Sequence, residues 1–153
     1  ERFYGYIDRV LSAAIRDCHG TLIAVIPSRL TIPPKQLADS VSLAPPLHLY
    51  ERFQRHIDEG KTAASVSRLQ TASELVSGFI SSDGITIFND AGYIIGYRAF
   101  VSNATGGKPA DGGARSRAFE TMRALVGSVL IAAFFRSQDG RTDFVQAAME
   151  ELK

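Results

Sequence analysis

The run Thr21-Leu22-Ile23-Ala24-Val25-Ile26 is apolar after its first residue and lies between Gly20 and Pro27. Six residues are too few for a buried helix and suit a strand, and the lack of polar alternation requires cover on both faces. The apolar stretch within Val126 to Phe135 reads the same way, with a buried strand expected over Val129–Phe135. Such strands force a layered fold, with a sheet inside and helices outside.

The helices are visible as periodic apolar spacing. Phe3, Ile7, Val10, Leu11, Ala14 and Ile15 mark one face of a helix over Phe3–Cys18, with Gly20 as its left-handed cap. Val66, Leu69, Ser73, Val76 and Phe79 predict a second helix over Lys61–Phe79. Leu47–Asp58 has weaker helical character, and Pro33-Pro34 is expected to open a short helix through Ala38. Val41–Pro46 is expected to be irregular or an edge segment. Gly84–Asn89 and Tyr93–Val101 read as two strands of a hairpin around Asn89-Asp90-Ala91-Gly92. Ser102–Gly113, with four glycines, is expected to be a mobile loop. A helix follows over Arg117–Val126, with Phe119, Met122, Leu125 and Val126 turned inward. Ser137–Gly140 turns the chain, and Thr142 or Asp143 is expected to cap a last helix over Phe144–Lys153. The resulting expectation is an α/β fold with a mixed central β-sheet flanked by helices on both faces.

Composition bounds the function. A formal charge of +1 on 153 residues argues against a dedicated nucleic-acid binder, which would carry a basic stripe. No apolar run approaches the roughly 18 residues of a membrane span. The single cysteine, Cys18, excludes an internal disulfide and a Cys-rich zinc site, and is compatible with a cytoplasmic location. The abrupt start at Glu1 and charged end suggest one domain, 1–153, excised from a longer protein.

Chemistry concentrates in two places. Gly113-Ala114-Arg115-Ser116-Arg117 puts two arginines around a hydroxyl at a helix start, after glycines that permit close approach. Helix-terminal N–H groups and guanidinium groups both favour phosphate. Cations at a helix N-terminus oppose the helix dipole by about 0.3–1 kcal/mol each, a conflict that a bound anion removes. Ser116 either caps the helix or touches the phosphate, or does both. Asp83, ahead of Gly84 and Ile85, is either an ordinary turn aspartate or a group for a metal or a ribose hydroxyl. Gly106-Gly107-Lys108 is not a P-loop, because the Ser/Thr and the strand-to-helix context are missing. Cys18, Phe88, Tyr93 and Tyr97 read as packing residues, Glu74 and Glu120 as exposed helix charges, and His19, His48 and His56 as surface groups.

The order of these pieces resembles the nucleotidyltransferase domain of DisA-type diadenylate cyclases. The resemblance runs from Ala14-Ile15-Arg16-Asp17-Cys18-His19-Gly20-Thr21-Leu22-Ile23-Ala24-Val25 through Ser82-Asp83-Gly84-Ile85-Thr86-Ile87, which is similar to an Asp-Gly-Ala motif. Tyr93 to Phe100 is similar to the hairpin partner. Gly113 to Phe119 is similar to a Gly-Thr-Arg-His-Arg-Ala-Ala motif, and Val129 to Gly140 to the following strand and acidic turn. Ser116 replaces the motif histidine and Ile85 the motif alanine. Without a gap, Ser137 and Gln138 stand where two glutamates would be; with a one-residue gap, Asp139 is retained.

The resemblance implies a diadenylate-cyclase-like fold and a nucleotide ligand of the ATP or cyclic dinucleotide class. Ligand contacts would fall on Asp83, Gly84, Ile85, Gly113, Arg115, Ser116 and Arg117, and Mg²⁺ or Mn²⁺ on Asp83 or Asp139 if the site turns over. Thinned carboxylates make it closer to divergent, sensor-like bacterial members of the DACNV type, which would pass binding to an effector domain outside this chain. The alternative is an active cyclase making cyclic di-AMP from two ATP, with Asp83 catalytic and two copies face to face. No nucleic-acid or membrane partner is expected.

Overall fold

The computed structural model describes residues 2–102 and 113–148. Among these, four helices and seven strands occur in the order α1 (Phe3–Asp17), β1 (Thr21–Ile26), β2 (Leu37–Ala38), β3 (Val41–His48), α2 (Leu49–Asp58), α3 (Ala63–Ser81), β4 (Ile85–Asn89), β5 (Tyr93–Val101), α4 (Ala114–Leu125), β6 (Ala132–Arg136) and β7 (Thr142–Gln146). The strands form one mixed sheet in the order β2-β5-β4-β1-β6-β7, with β3 also paired to β5. β1 and β4 run parallel, and the other pairs are antiparallel.

The continuous apolar run of β1 is covered on both faces, as its composition requires. Ile23 joins a core with Val10 and Ala14 of α1, Phe53 of α2 and Val76 and Ile80 of α3. Leu22, Ala24 and Ile26 point the other way and pack with Phe119 and Met122 of α4. Strand alternation therefore sorts one apolar sequence into two cores, with three helices on one face and α4 on the other.

Four expectations are corrected. Pro33–Ala38 is not a helix. A turn closed by the Leu37 N–H on Pro34 O (2.9 Å) leads into β2, where Leu37 and Ala38 pair with Val101 and Phe100. The expected last helix from Phe144 is strand β7 as far as Gln146; residues 149–153 lie outside the described residues. Thr142–Gln146 saturates the outer edge of β6 from Arg136 to Ala132, and its Thr, Phe and Val suit a pleated ladder. The strand expected from Val129 begins at Ala132. Before it, a tight turn brings the N–H groups of Ser128, Val129 and Leu130 onto Leu125 O. On α3 the buried positions are Ser65, Ala72, Val76 and Ile80, while Val66 is exposed.

Elsewhere the helix over Phe3–Cys18, the hairpin and the packing roles of Cys18, Phe88 and Tyr97 hold. α1 ends with the Cys18 N–H on Ala14 O, and Gly20 (φ 102°) enters β1 instead of closing the helix. The expected loop at Ser102–Gly113 falls largely on residues outside those described, including Gly106-Gly107-Lys108 and Gly112.

Candidate functional site

Three neighbouring strands set an apolar floor by register. Leu22 of β1 pairs with Ile85 of β4, and Ile85 pairs with Ala99 of β5. All three face α4. Above this row lies a cleft of about 230 Å³, bounded also by Asp83, Gly84, Phe100, Val101, Ala114, Arg115, Arg117 and Ala118. It opens at the N-terminal ends of the parallel pair β1 and β4, beside the N-terminus of α4.

The Asp83 wall is fixed by the end of α3. Phe79 O accepts from the Ser82 N–H (3.2 Å), the Ser82 hydroxyl (2.6 Å) and the Thr86 hydroxyl (3.0 Å). These bonds clamp the chain on both sides of Asp83-Gly84. Gly84 adopts φ 93°, and a Cβ there would lie 2.8 Å from Ala99 O. Only glycine permits both the left-handed backbone and the close approach of β5. Opposite it, Arg98 also has positive φ (54°), where the β4–β5 register shifts. A non-glycine residue in this region stores backbone strain, held by the surrounding ladder.

The Arg115 wall is the first turn of α4. The helix begins at Ala114, three residues before the expected start. Its N-cap is therefore Gly113, which makes no side-chain cap, and Ser116 lies inside the first turn. No acidic residue occupies that turn. No side chain among the described residues caps the first N–H groups, and the dipole there favours an anion. Arg115 is half-buried, and its guanidinium makes no hydrogen bond or ion pair among the described residues. Its Nη1 would lie 3.2 Å from a Cβ at Gly20, so the bare Gly20 backbone leaves room for it.

The structure thus brings Asp83, Gly84, Ile85, Arg115 and Arg117 to one cleft. Gly113 and Ser116 are not among its lining residues, and neither is Asp139. Asp139 projects from the β6–β7 turn, where the Ser137 hydroxyl donates to its carboxylate. That bond, helped by nearby backbone N–H groups and Arg141, holds the carboxyl below the usual range. Among the described residues no group of three or more His, Cys, Asp or Glu side chains comes together to hold a metal ion. Among the described residues Asp83 is the one carboxylate of the lining, and these groups alone do not make up a Mg²⁺ or Mn²⁺ site.

Leu22, Ala99, Phe100, Val101, Ala114 and Ala118 are lining residues that motif reasoning missed. Leu22 and Ala99 carry no chemical signal; they enter the cleft through strand register. His48 and His56 are not simple surface groups. His48 stacks on Tyr93 with ring centroids 3.8 Å apart, and His56 Nδ1 lies 2.9 Å from Ser65 Oγ. His19 is exposed.

No protein-family model matches this chain, and no curated protein matches it. Among the described residues, no helix is long and apolar enough to cross a membrane.

Proposed function

We propose that this chain is a binding module for a nucleotide or nucleotide-derived second messenger, held in the cleft between Asp83 and Arg115. One observation carries the reading. An apolar floor is bounded on one side by a carboxylate and on the other by a helix start that, among the described residues, has no side-chain cap and bears a half-buried guanidinium without a partner. A phosphate suits the α4 end, where N–H groups and Arg115 add charge-assisted hydrogen bonds. A base or ribose suits the floor of Leu22, Ile85 and Ala99, with Asp83 accepting from a ribose hydroxyl. The choice of a nucleotide over another phosphorylated molecule rests on the resemblance to DisA-type cyclases. A sensor of that kind would pass occupancy to an effector domain and would work alone or as a homo-oligomer.

The second reading is an active diadenylate cyclase that joins two ATP molecules face to face. Among the described residues the lining offers one carboxylate for a metal, which favours binding over turnover.

Thermal unfolding with ATP, ADP, AMP, cyclic di-AMP and inorganic triphosphate tests the reading. At a hundredfold excess over its dissociation constant, a cognate ligand adds about 2.7 kcal/mol. The expected result is stabilisation by one nucleotide in the wild type and its loss in Arg115→Ala. Absence of a response to every nucleotide would discard the module. Cyclic di-AMP formed from ATP with Mn²⁺ or Mg²⁺ would replace it with the enzyme.

A further inference from the structure

A second cleft, of about 290 Å³, lies at the other end of β5. It is lined by Pro45, Pro46, His48, Glu51, Arg52, Arg55 and Tyr93, drawn from β3, α2 and β5. β5 begins at this cleft with Tyr93 and reaches the first cleft at Ala99. At about 3.3 Å per residue the two are about 20 Å apart. The site is therefore independent of the nucleotide reading, and either can fail without the other.

Its walls differ in chemistry. His48 and Tyr93 are register partners across β3 and β5, and their rings are stacked at 3.8 Å and 8°. With the rings of Pro45 and Pro46 they line the cleft with flat ring surfaces. The charged groups come from α2. Glu51 is committed locally, 3.6 Å from Arg55 Nη2 and 3.7 Å from His48 Nδ1. Arg52 is exposed and makes no hydrogen bond or ion pair among the described residues. Two arginines against one glutamate leave one uncompensated positive charge on the lining.

We propose that this cleft binds a small aromatic monocarboxylate. The carboxylate would take the Arg52 guanidinium, whose planar fork matches two carboxylate oxygens. The ring would lie against Pro45, Pro46 and the His48–Tyr93 stack. One unpaired guanidinium matches one negative charge. A phosphate dianion would carry a second charge toward Glu51.

The experiment is an NMR titration of the isotope-labelled chain with benzoate, followed at Arg52 Nε–H and the His48 and Tyr93 rings. Benzyl alcohol and inorganic phosphate serve as separate probes. Saturable benzoate shifts at those three residues are expected, with binding weakened at least about 10-fold in Arg52→Gln, in the range of a lost charge-assisted hydrogen bond. Arg52 is exposed, so this variant should fold with an otherwise unchanged spectrum. Saturation by benzyl alcohol at equal affinity would remove the anion from the proposal. Equal binding of phosphate would remove the ring. Shifts confined to Asp83–Arg115, the absence of saturation, or unchanged affinity in Arg52→Gln would each overturn the site.

Discussion

Nη1 of Arg115 would stand 3.2 Å from a Cβ at Gly20, although 95 positions of sequence separate the two residues. The same imagined methyl would lie 3.1 Å from Arg136 O and 3.3 Å from the Gln138 backbone nitrogen. Gly20 thus shapes the seat of the arginine on which phosphate binding is proposed to depend. Gly20→Ala should cost about 1–2 kcal/mol for its left-handed backbone, read by urea denaturation. Part of any further loss should be relieved in Gly20→Ala/Arg115→Ala. A double-mutant cycle should therefore show coupling of about 0.5–3 kcal/mol. Strict additivity would mean the two residues do not constrain each other.

Gly84 faces a harder obstacle, because the atoms a side chain would meet are backbone: Ala99 O at 2.8 Å and Arg98 C and Cα at 3.0 Å. Gly84→Ala should cost about 1–2 kcal/mol in backbone strain and about 1–3 kcal/mol more from overpacking. Chemical denaturation measures the loss. A cost below about 0.5 kcal/mol, the usual range of a surface change, would contradict the tight β4–β5 approach.

Thr21 and Arg136 are register partners across β1 and β6. Thr21 Oγ1 and Arg136 Nε are both buried without a hydrogen-bond partner among the described residues. Alternation puts them on the face opposite Leu22 and Phe135, away from the first cleft. A buried unsatisfied hydroxyl costs about 1–3 kcal/mol. Thr21→Val, of equal shape, should therefore raise stability by about 1 kcal/mol and leave ligand responses unchanged. A destabilised Thr21→Val would show that the hydroxyl is satisfied in solution.

Asp139 tests the electrostatics of the β6–β7 turn. The Ser137 hydroxyl bond is the largest cause of its lowered carboxyl pKa. The depressed value means its contribution to stability is present above the unfolded carboxylate pKa and fades as pH falls through the folded value. Ser137→Ala should move the Asp139 carboxyl titration, followed by carbon NMR, upward toward the ordinary aspartate range. An unmoved titration would assign the shift to the backbone N–H groups and Arg141.

Much of the architecture is legible in the amino-acid sequence. The apolar run at Thr21–Ile26 required a strand with two covered faces, and the spacing in α1 and the turn residues at Asn89–Gly92 located their elements. These signals are local, because period and turn chemistry act between near neighbours. Leu37-Ala38 and Thr142–Gln146 carry no such local signal for the complementary reason. Their state is set by β5 and β6, which lend them ladder partners from far along the chain.

The candidate site divides in the same way. Residue type announced Asp83, Arg115 and Arg117 as chemistry, whereas Ser116 and Gly113 carried equally good signals and lie off the cleft lining. The sequence by itself determined the layered α/β plan and a helix start that carries two arginines. Only the tertiary structure decided that Leu22, Ile85 and Ala99 form one floor, that Gly20 seats Arg115, and that Tyr93 marks a second cleft. Those relations follow from strand register and packing between distant segments, and no local preference of the chain encodes them.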